Sequence, residues 1–196
     1  DNLSIAKVNA DPSPAFRNEA AAIAETDPTF TTVAMVPRSL AMMTKISTEL
    51  LEDTVNLATE LPNIITRAMA AEMDRIVFQG TGSAPEPRGI INQSGIGNTG
   101  AGGALTNYAE LLTAMTGIAT LNAGPPSAIV MHPRDYGTLA GLVATDNQPL
   151  MMPPALQGIP MLQTSALQVD AGAGNNESNI VMGNFSNCLI GMRNQI

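Results

Sequence analysis

The chain has a single cysteine, Cys188, in 196 residues. It can form no intrachain disulfide and no thiolate-rich metal site. Within the apolar run "NFSNCLIG" the thiol is expected to be buried and inert. His132 is the only histidine, so packing or the capping of a strand end is its expected role. The twelve methionines are not clustered with His or Cys as a redox or copper function needs; their adaptable side chains suit irregular cores and contact surfaces. Charge is scarce as well: 13% of residues are ionisable as Asp, Glu, Lys or Arg, and 9 basic against 17 acidic residues leave a net charge of −8. The basic residues are scattered singly from Lys7 to Arg193, so nothing builds the clustered positive footprint that a nucleic-acid backbone requires, and no specific nucleic-acid sequence is an expected partner. No run of about 18 apolar residues offers a membrane-spanning helix, and no membrane partner is expected.

What is present is a chain 44% apolar, whose surface falls largely to Ala, Gly, Thr, Asn, Gln and Ser. Such a chain suits buried contacts with copies of itself. Its length allows one substantial core or two small ones. From Asp1 to Thr44, short apolar runs alternate with Pro and Thr. "TFTTVAMV" favours strand, Pro12, Pro14 and Pro28 punctuate it, and Pro37 suits an edge. A long two-stranded excursion with little core is expected, stable only against something else.

From Ser47 the period changes. Leu50, Leu57, Leu61, Ile64, Ile65, Ala68, Met69, Ile76 and Val77 recur at three- and four-residue intervals, one apolar helical stripe. Ser47 or Thr48 can cap it, with Glu49, Glu52 and Asp53 near the positive end of its dipole. Pro62 predicts either a kink or a restart, and a helix from Pro62 to Gln79 would be about 27 Å long. Gly80 fits the left-handed position after the helix, and "GTGSAPEPRG" reads as turns. The tract Gly95 to Gly103 is an internal boundary. Beyond it, Asn107 and Glu110 stand at capping-box spacing before a helix lined by Leu105, Tyr108, Leu111, Leu112, Met115, Ile118 and Ala119, which "GPP" stops at Gly124. Then come the strand "SAIVM", a helix opening at Pro133 with Tyr136, Leu139, Ala140 and Val143 inward, and strands in "GIPMLQTSAL" and "NIVMGNFSNCLIGMR".

Catalytic signatures fail on their own terms. A P-loop needs GxxxxGK[ST], yet "GTGSAPEPRG" contains only Arg88 and "GIGNTGAGG" no basic residue. A dinucleotide fingerprint opens a helix, whereas Gly80 and Gly82 close one. Cys188 has no neighbouring histidine in sequence, and His132 could meet Asp135 or a distant serine only through folding. Glu49, Glu52 and Asp53 read better as helix-end charges than as metal ligands, and Asp74 with Arg75 as an ion-pairing corner. No catalytic residue, cofactor or metal is expected.

Several stretches resemble the major capsid proteins of tailed bacteriophages of the Hong Kong 97 type. "FRNEAAAIAETDPTF", with Glu19, is similar to the strand and glutamate that open that family's extended loop. "KISTELLEDT", with Glu49 and Asp53, is similar to its Ser-x-Glu-Leu-Leu-x-Asp entry to the spine helix. "EMDRIVFQGTGSAPEPRGIIN" resembles its corner, carrying Asp74, Gly80, Gly82 and Gly89. "VMHPRDYGTLAGL", "ALQGIPMLQTSAL" with Gly158, and "IVMGNFSNCLIGMR" with Gly183 resemble its axial strand–helix unit, Gly-x-Pro strand and Gly-x-Phe strand; Asn184 stands where aspartate is common.

The resemblance implies an α+β Hong Kong 97-like fold. An N-terminal strand and extended β-loop would occupy 1–46, a peripheral domain with the spine and glycine-rich corner 47–104, and a small α/β axial domain 105–196. It implies a structural subunit, with no catalytic site, that assembles with itself as hexamers and pentamers into an icosahedral shell around double-stranded DNA. Portal, scaffold and maturation protease would be further partners, and the protein would be located in the virion capsid after assembly in the bacterial host cytoplasm. Members carry residues before the position of Asp1 and beyond that of Ile196, so the chain is expected to be a fragment; the start at Asp1 reads as proteolytic maturation or a cut from a longer protein. Residues 17–44 contain no lysine, so no covalent cross-linking is expected. The alternatives are an encapsulin-type nanocompartment shell and, in another class, a small α/β nucleotide-binding enzyme using the glycine-rich loop.

Overall fold

The computed structural model describes residues 3–19, 22–23, 25–54, 56–100 and 103–192, apart from the side chains of residues 51 and 52. There are two compact units, Asp1–Arg38 with Ile190–Ile196, and Ser39–Leu189. In the first, β1 (Leu3–Ala10) and β2 (Thr29–Met35) pair antiparallel. The Thr-, Val- and Phe-rich second strand suits a pleated backbone. Opposed residues share a face, which places Leu3 beside Met35 and Ile5 beside Val33, with Val8 and Phe30 on the other side. Of all the residues in these two strands, only Ile5 and Met35 are half-buried. The two-stranded excursion is therefore present, and Pro37 lies just beyond it.

In the second unit Ser47 Oγ accepts the Leu50 amide at 3.3 Å and starts α1 (Thr48–Asp53), the bond expected of an N-cap serine. Thr54 is extended (φ −110°, ψ 100°) and ends it. Helix α2 then runs over Leu57–Gln79, about 34 Å at ~1.5 Å per residue. The interruption thus precedes Leu57, and Pro62 lies inside α2 instead of restarting it. Pro62 lacks the N–H that would reach the Ala58 carbonyl, and its ring crowds that same oxygen. Ala58 is exposed, so water can serve that carbonyl and the helix continues. Leu57, Leu61, Ile65, Met69 and Ile76 form the half-buried stripe, but no residue of α2 is fully buried.

The remaining elements are α3 (Ala109–Thr120), β3 (Ala128–Met131), α4 (Pro133–Ala140), α5 (Pro154–Gln157), β4 (Met161–Gln163) and β5 (Val181–Gly183). The sheet order is β4-β3-β5, with β3 parallel to β4 and antiparallel to β5. All four β3 residues are buried. Ile129 and Met131 join Tyr108, Leu111, Leu139 and Leu156 in the core, each large apolar side chain worth roughly 1.5–3 kcal/mol of burial. The Tyr108 hydroxyl donates to the Leu139 carbonyl at 3.0 Å and ties α3 to α4. Asn107 Oδ1 accepts the Ala109 amide at 2.8 Å, a turn bond before the helix; the N-cap is Tyr108 without a side-chain cap bond, so the expected capping box of Asn107 and Glu110 is not formed.

Several local expectations are corrected. The last two strands are three residues each: a turn follows Thr164, and Asn184 Oδ1 accepts the Ser186 amide at 3.3 Å to start a 3-10 turn over Phe185–Asn187. Helix α5 was not expected behind its two prolines, although Pro154 at its first position is compatible with a helix start. In α4 the inward pair is Asp135 and Leu139, four apart on one face; Tyr136, Ala140 and Val143 are exposed. Cys188 is exposed, not buried. It follows the 3-10 turn instead of sitting inside a strand, and Leu189, Ile190 and Met192 beyond it are exposed too.

Candidate assembly surfaces

Chemistry-bearing clusters are sparse. No group of three or more potential metal-ligating side chains occurs among the described residues. His132 caps α4 at the end of β3: its Nδ1 accepts the Arg134 amide at 3.1 Å. What the first unit displays is apolar surface. Phe16 is fully exposed, at 110% of its reference area, and Ile23, Phe30, Val33 and Val36 are also exposed. Leu40, Met42 and Met43 continue the series in the second unit. Large apolar side chains left exposed in such number suit contacts with a partner. Glu19, in the excursion, is exposed, while Ala20, Ala21 and Ala24 of its motif lie outside the described residues.

The corner after α2 is a closed network. Arg75 holds Glu72 and Glu86 at 2.6 Å each. The other oxygen of Glu86 accepts the Thr81 amide at 3.1 Å and the Thr81 hydroxyl at 3.0 Å. The Arg75 hydrogen bond, followed by those from Thr81, pulls the Glu86 carboxyl down to about 2; the Arg75 bond lowers Glu72 as well, and the two carboxylates raise Arg75. The ion-pairing corner expected of Asp74 and Arg75 is thus made by other carboxylates. Asp74 points elsewhere on the helix, exposed beside a shallow cleft it lines with Thr164 and Ser165. Glu86 was missed in sequence, although its position between Pro85 and Pro87 signals a stiffened carboxylate.

Two glycines close the corner by contact. Gly80 is extended, at φ −48° and ψ 132°, so the left-handed position expected there is not found; its own N–H still reaches the Ile76 carbonyl at 2.9 Å. A Cβ on Gly80 would collide with the Pro87 carbonyl oxygen, and one on Gly89 with the Gly80 nitrogen. The Gly89 N–H donates to Gly80 O at 2.8 Å across this crossing, and Asn92 Nδ2 donates to the same oxygen at 2.9 Å. Gly82 is the left-handed residue, at φ 77°.

Glu49 occupies the first turn of α1 as expected of a helix-start carboxylate. Asp53 ends α1, at the negative end of its dipole instead of the positive one, because the helix breaks at Thr54. The Glu52 side chain lies outside the described residues. Gly158 caps α5 at φ −84°, with open space where a Cβ would project. Gly183 ends β5 with similar space, and its carbonyl accepts the Ser127 amide at 2.9 Å. The structure thus brings Gly80, Gly82 and Gly89 together at the corner.

The sequence model of the phage capsid family matches residues 1–196. No curated protein sequence matches the chain. Among solved structures, the capsid of a native GTA particle computed with C5 symmetry has a TM-score of 0.69 at 21% identity, covering 94% of this chain and 68% of that one. A chain of Gordonia phage Cozz has a TM-score of 0.63 at 16% identity, covering 93% and 62%. One of Mycobacterium phage Adephagia has 0.60 at 14%, covering 84% and 58%. At these identities the likeness is one of fold.

Proposed function

Because the chain belongs to the phage capsid family, we propose that it works by quasi-equivalent self-association, as hexamers and pentamers of an icosahedral shell enclosing double-stranded DNA. The protein is a structural capsid protein with a Hong Kong 97-like fold. Its work is structural, without a reaction to catalyse. Residues 1–46 act as the extended loop, 47–104 as the peripheral domain and 105–196 as the axial domain; Glu19, Glu49, Asp53, Asp74, Gly80, Gly82, Gly89, Gly158 and Gly183 shape them or their contacts. The shell forms in the host cytoplasm and takes portal, scaffold and maturation protease as partners.

The observation that carries this reading is the β1–β2 excursion, whose apolar side chains are nearly all exposed. Such a ribbon is marginal alone and gains its missing core from a neighbouring copy. A net charge of −8 suits a wall that encloses a polyanion without gripping it. Static light scattering of the intact gene product across concentration and salt, with negative-stain imaging, is expected to show closed shells. A species that stays monomeric under all those conditions would remove the reading.

A further inference from the structure

A cleft of about 930 Å³ in the second unit is walled by Gly95–Gly100, Gly103–Leu105, α3, the start of α4 and residues 176–182. Glu110, Asp135 and Glu177 line it, and Arg134 is the one cation among its lining residues. Arg134 is already engaged. Its guanidinium donates to the Val169 carbonyl at 3.1 Å and the Asn176 carbonyl at 3.3 Å, and its Nε stands 3.5 Å from Asp135 Oδ1. The Asp135 side chain is only 7% exposed, and its Oδ2 is buried with no hydrogen-bond partner.

The first turn of α4 offsets part of that charge through the helix dipole. It supplies no donor to Oδ2, and a buried carboxylate oxygen calls for one. The three acids do not form a metal-ligating group, and α3 with its end adds Ala114, Ile118 and Leu121 to the lining, on the same face as Glu110. Carboxylates interspersed with hydrocarbon match a guanidinium or ammonium carried on an apolar segment.

Residues 36–46 are such a segment. Between Asp27 and Glu49 there is no acidic residue, while Arg38 and Lys45 supply two positive charges. Val36, Leu40, Met42 and Met43 lie among them with their side chains exposed. Since residues 36–45 are all exposed, the segment does not fill the cleft of its own chain. We propose that the cleft receives residues 36–46 of a second copy, with Arg38 or Lys45 bringing its cation to the acidic lining at Asp135, Glu110 or Glu177. This rests on the shell-building reading above.

The test titrates a synthetic peptide of residues 36–46, VPRSLAMMTKI, into the dissociated 196-residue chain, followed by calorimetry and backbone amide shifts. Saturable binding is expected, with shifts confined to the lining of the cleft, residues 95–100, 103–105, 110–121, 134–138 and 176–182. Affinity should fall at least tenfold for Asp135→Asn, for Glu177→Gln on the exposed rim, and for a peptide carrying Arg38→Glu and Lys45→Glu. Circular dichroism of each variant separates lost binding from lost folding, and Glu177→Gln carries the test if Asp135→Asn does not fold. No saturation, shifts elsewhere, or unchanged affinity in the folded variants overturns the proposal. Shells formed by a chain that ignores the peptide would sink the cleft and leave the shell; peptide binding by a chain that never forms shells would do the reverse.

Discussion

A glycine can be required for its dihedral angles or for the space it leaves, and sequence distinguishes the two poorly. "QGTG" after a helical run suggested a left-handed Gly80; the left-handed residue is Gly82, at φ 77°, and Gly80 is constrained by backbone contact from Pro87 and Gly89. Nothing local could reveal this, because the opposing strand lies nine residues downstream. At Gly89, with ordinary angles of φ −76° and ψ 167°, an added Cβ would stand 2.7 Å from Gln79 N and Phe78 C. Gly89→Ala is therefore expected to destabilise by about 1–3 kcal/mol through overpacking, and Gly158→Ala, projecting into open space, by less than about 0.5 kcal/mol. Urea unfolding of both variants measures the contrast; equal losses would mean that contact is not what Gly89 avoids. At His132 packing or the capping of a strand end is the sequence reading, whereas its Nδ1 caps the helix that Pro133 opens. Cys188 was not legible either, because apolar neighbours imply burial only when they themselves face a core.

At the scale of elements, period and punctuation located α2, α3, β3 and α4 but misjudged their ends. Helix α2 tolerates Pro62 because the orphaned carbonyl belongs to exposed Ala58, a fact of solvent access that sequence does not carry. The corner depends on a side chain eleven residues beyond its partner, Glu86 on Arg75. The folded-state pKa of Glu86, about 2, lies below its usual 4.5. A depressed carboxylate contributes stability that is fully present above the unfolded value and lost as pH falls through the folded one. Wild-type protein should thus lose this contribution progressively between about pH 4.5 and 2, and Glu86→Gln should melt lower than wild type at pH 6 yet converge with it near pH 2. Melting curves over that range check the expectation; a constant gap would show that Glu86 acts through something other than its charge.

For the whole molecule, the order of segments carried the fold better than any one motif did, since a bare ribbon, a long helix and a small α/β layer make sense together only when copies complete one another. Phe16 and Phe30 stand out in that respect, exposed at 110% and 64%. Burying one phenylalanine is worth roughly 1.5–3 kcal/mol, so Phe30→Asp should raise the concentration needed for assembly about ten- to a hundredfold while leaving the subunit's melting temperature unchanged. Light scattering and calorimetry on the same samples would decide it; a fall in melting temperature with normal assembly would place that ring in the subunit's own stability. The corner has a mechanical meaning as well. Because Arg75, Glu86, Gly80 and Gly89 lock the loop to the last turns of α2, the pair behaves as a rigid crank, and tilting it by about 5° sweeps the far end of a helix of about 34 Å through about 3 Å. A change of subunit angle small enough to preserve every bond in the corner is thereby magnified into a displacement the width of a side chain.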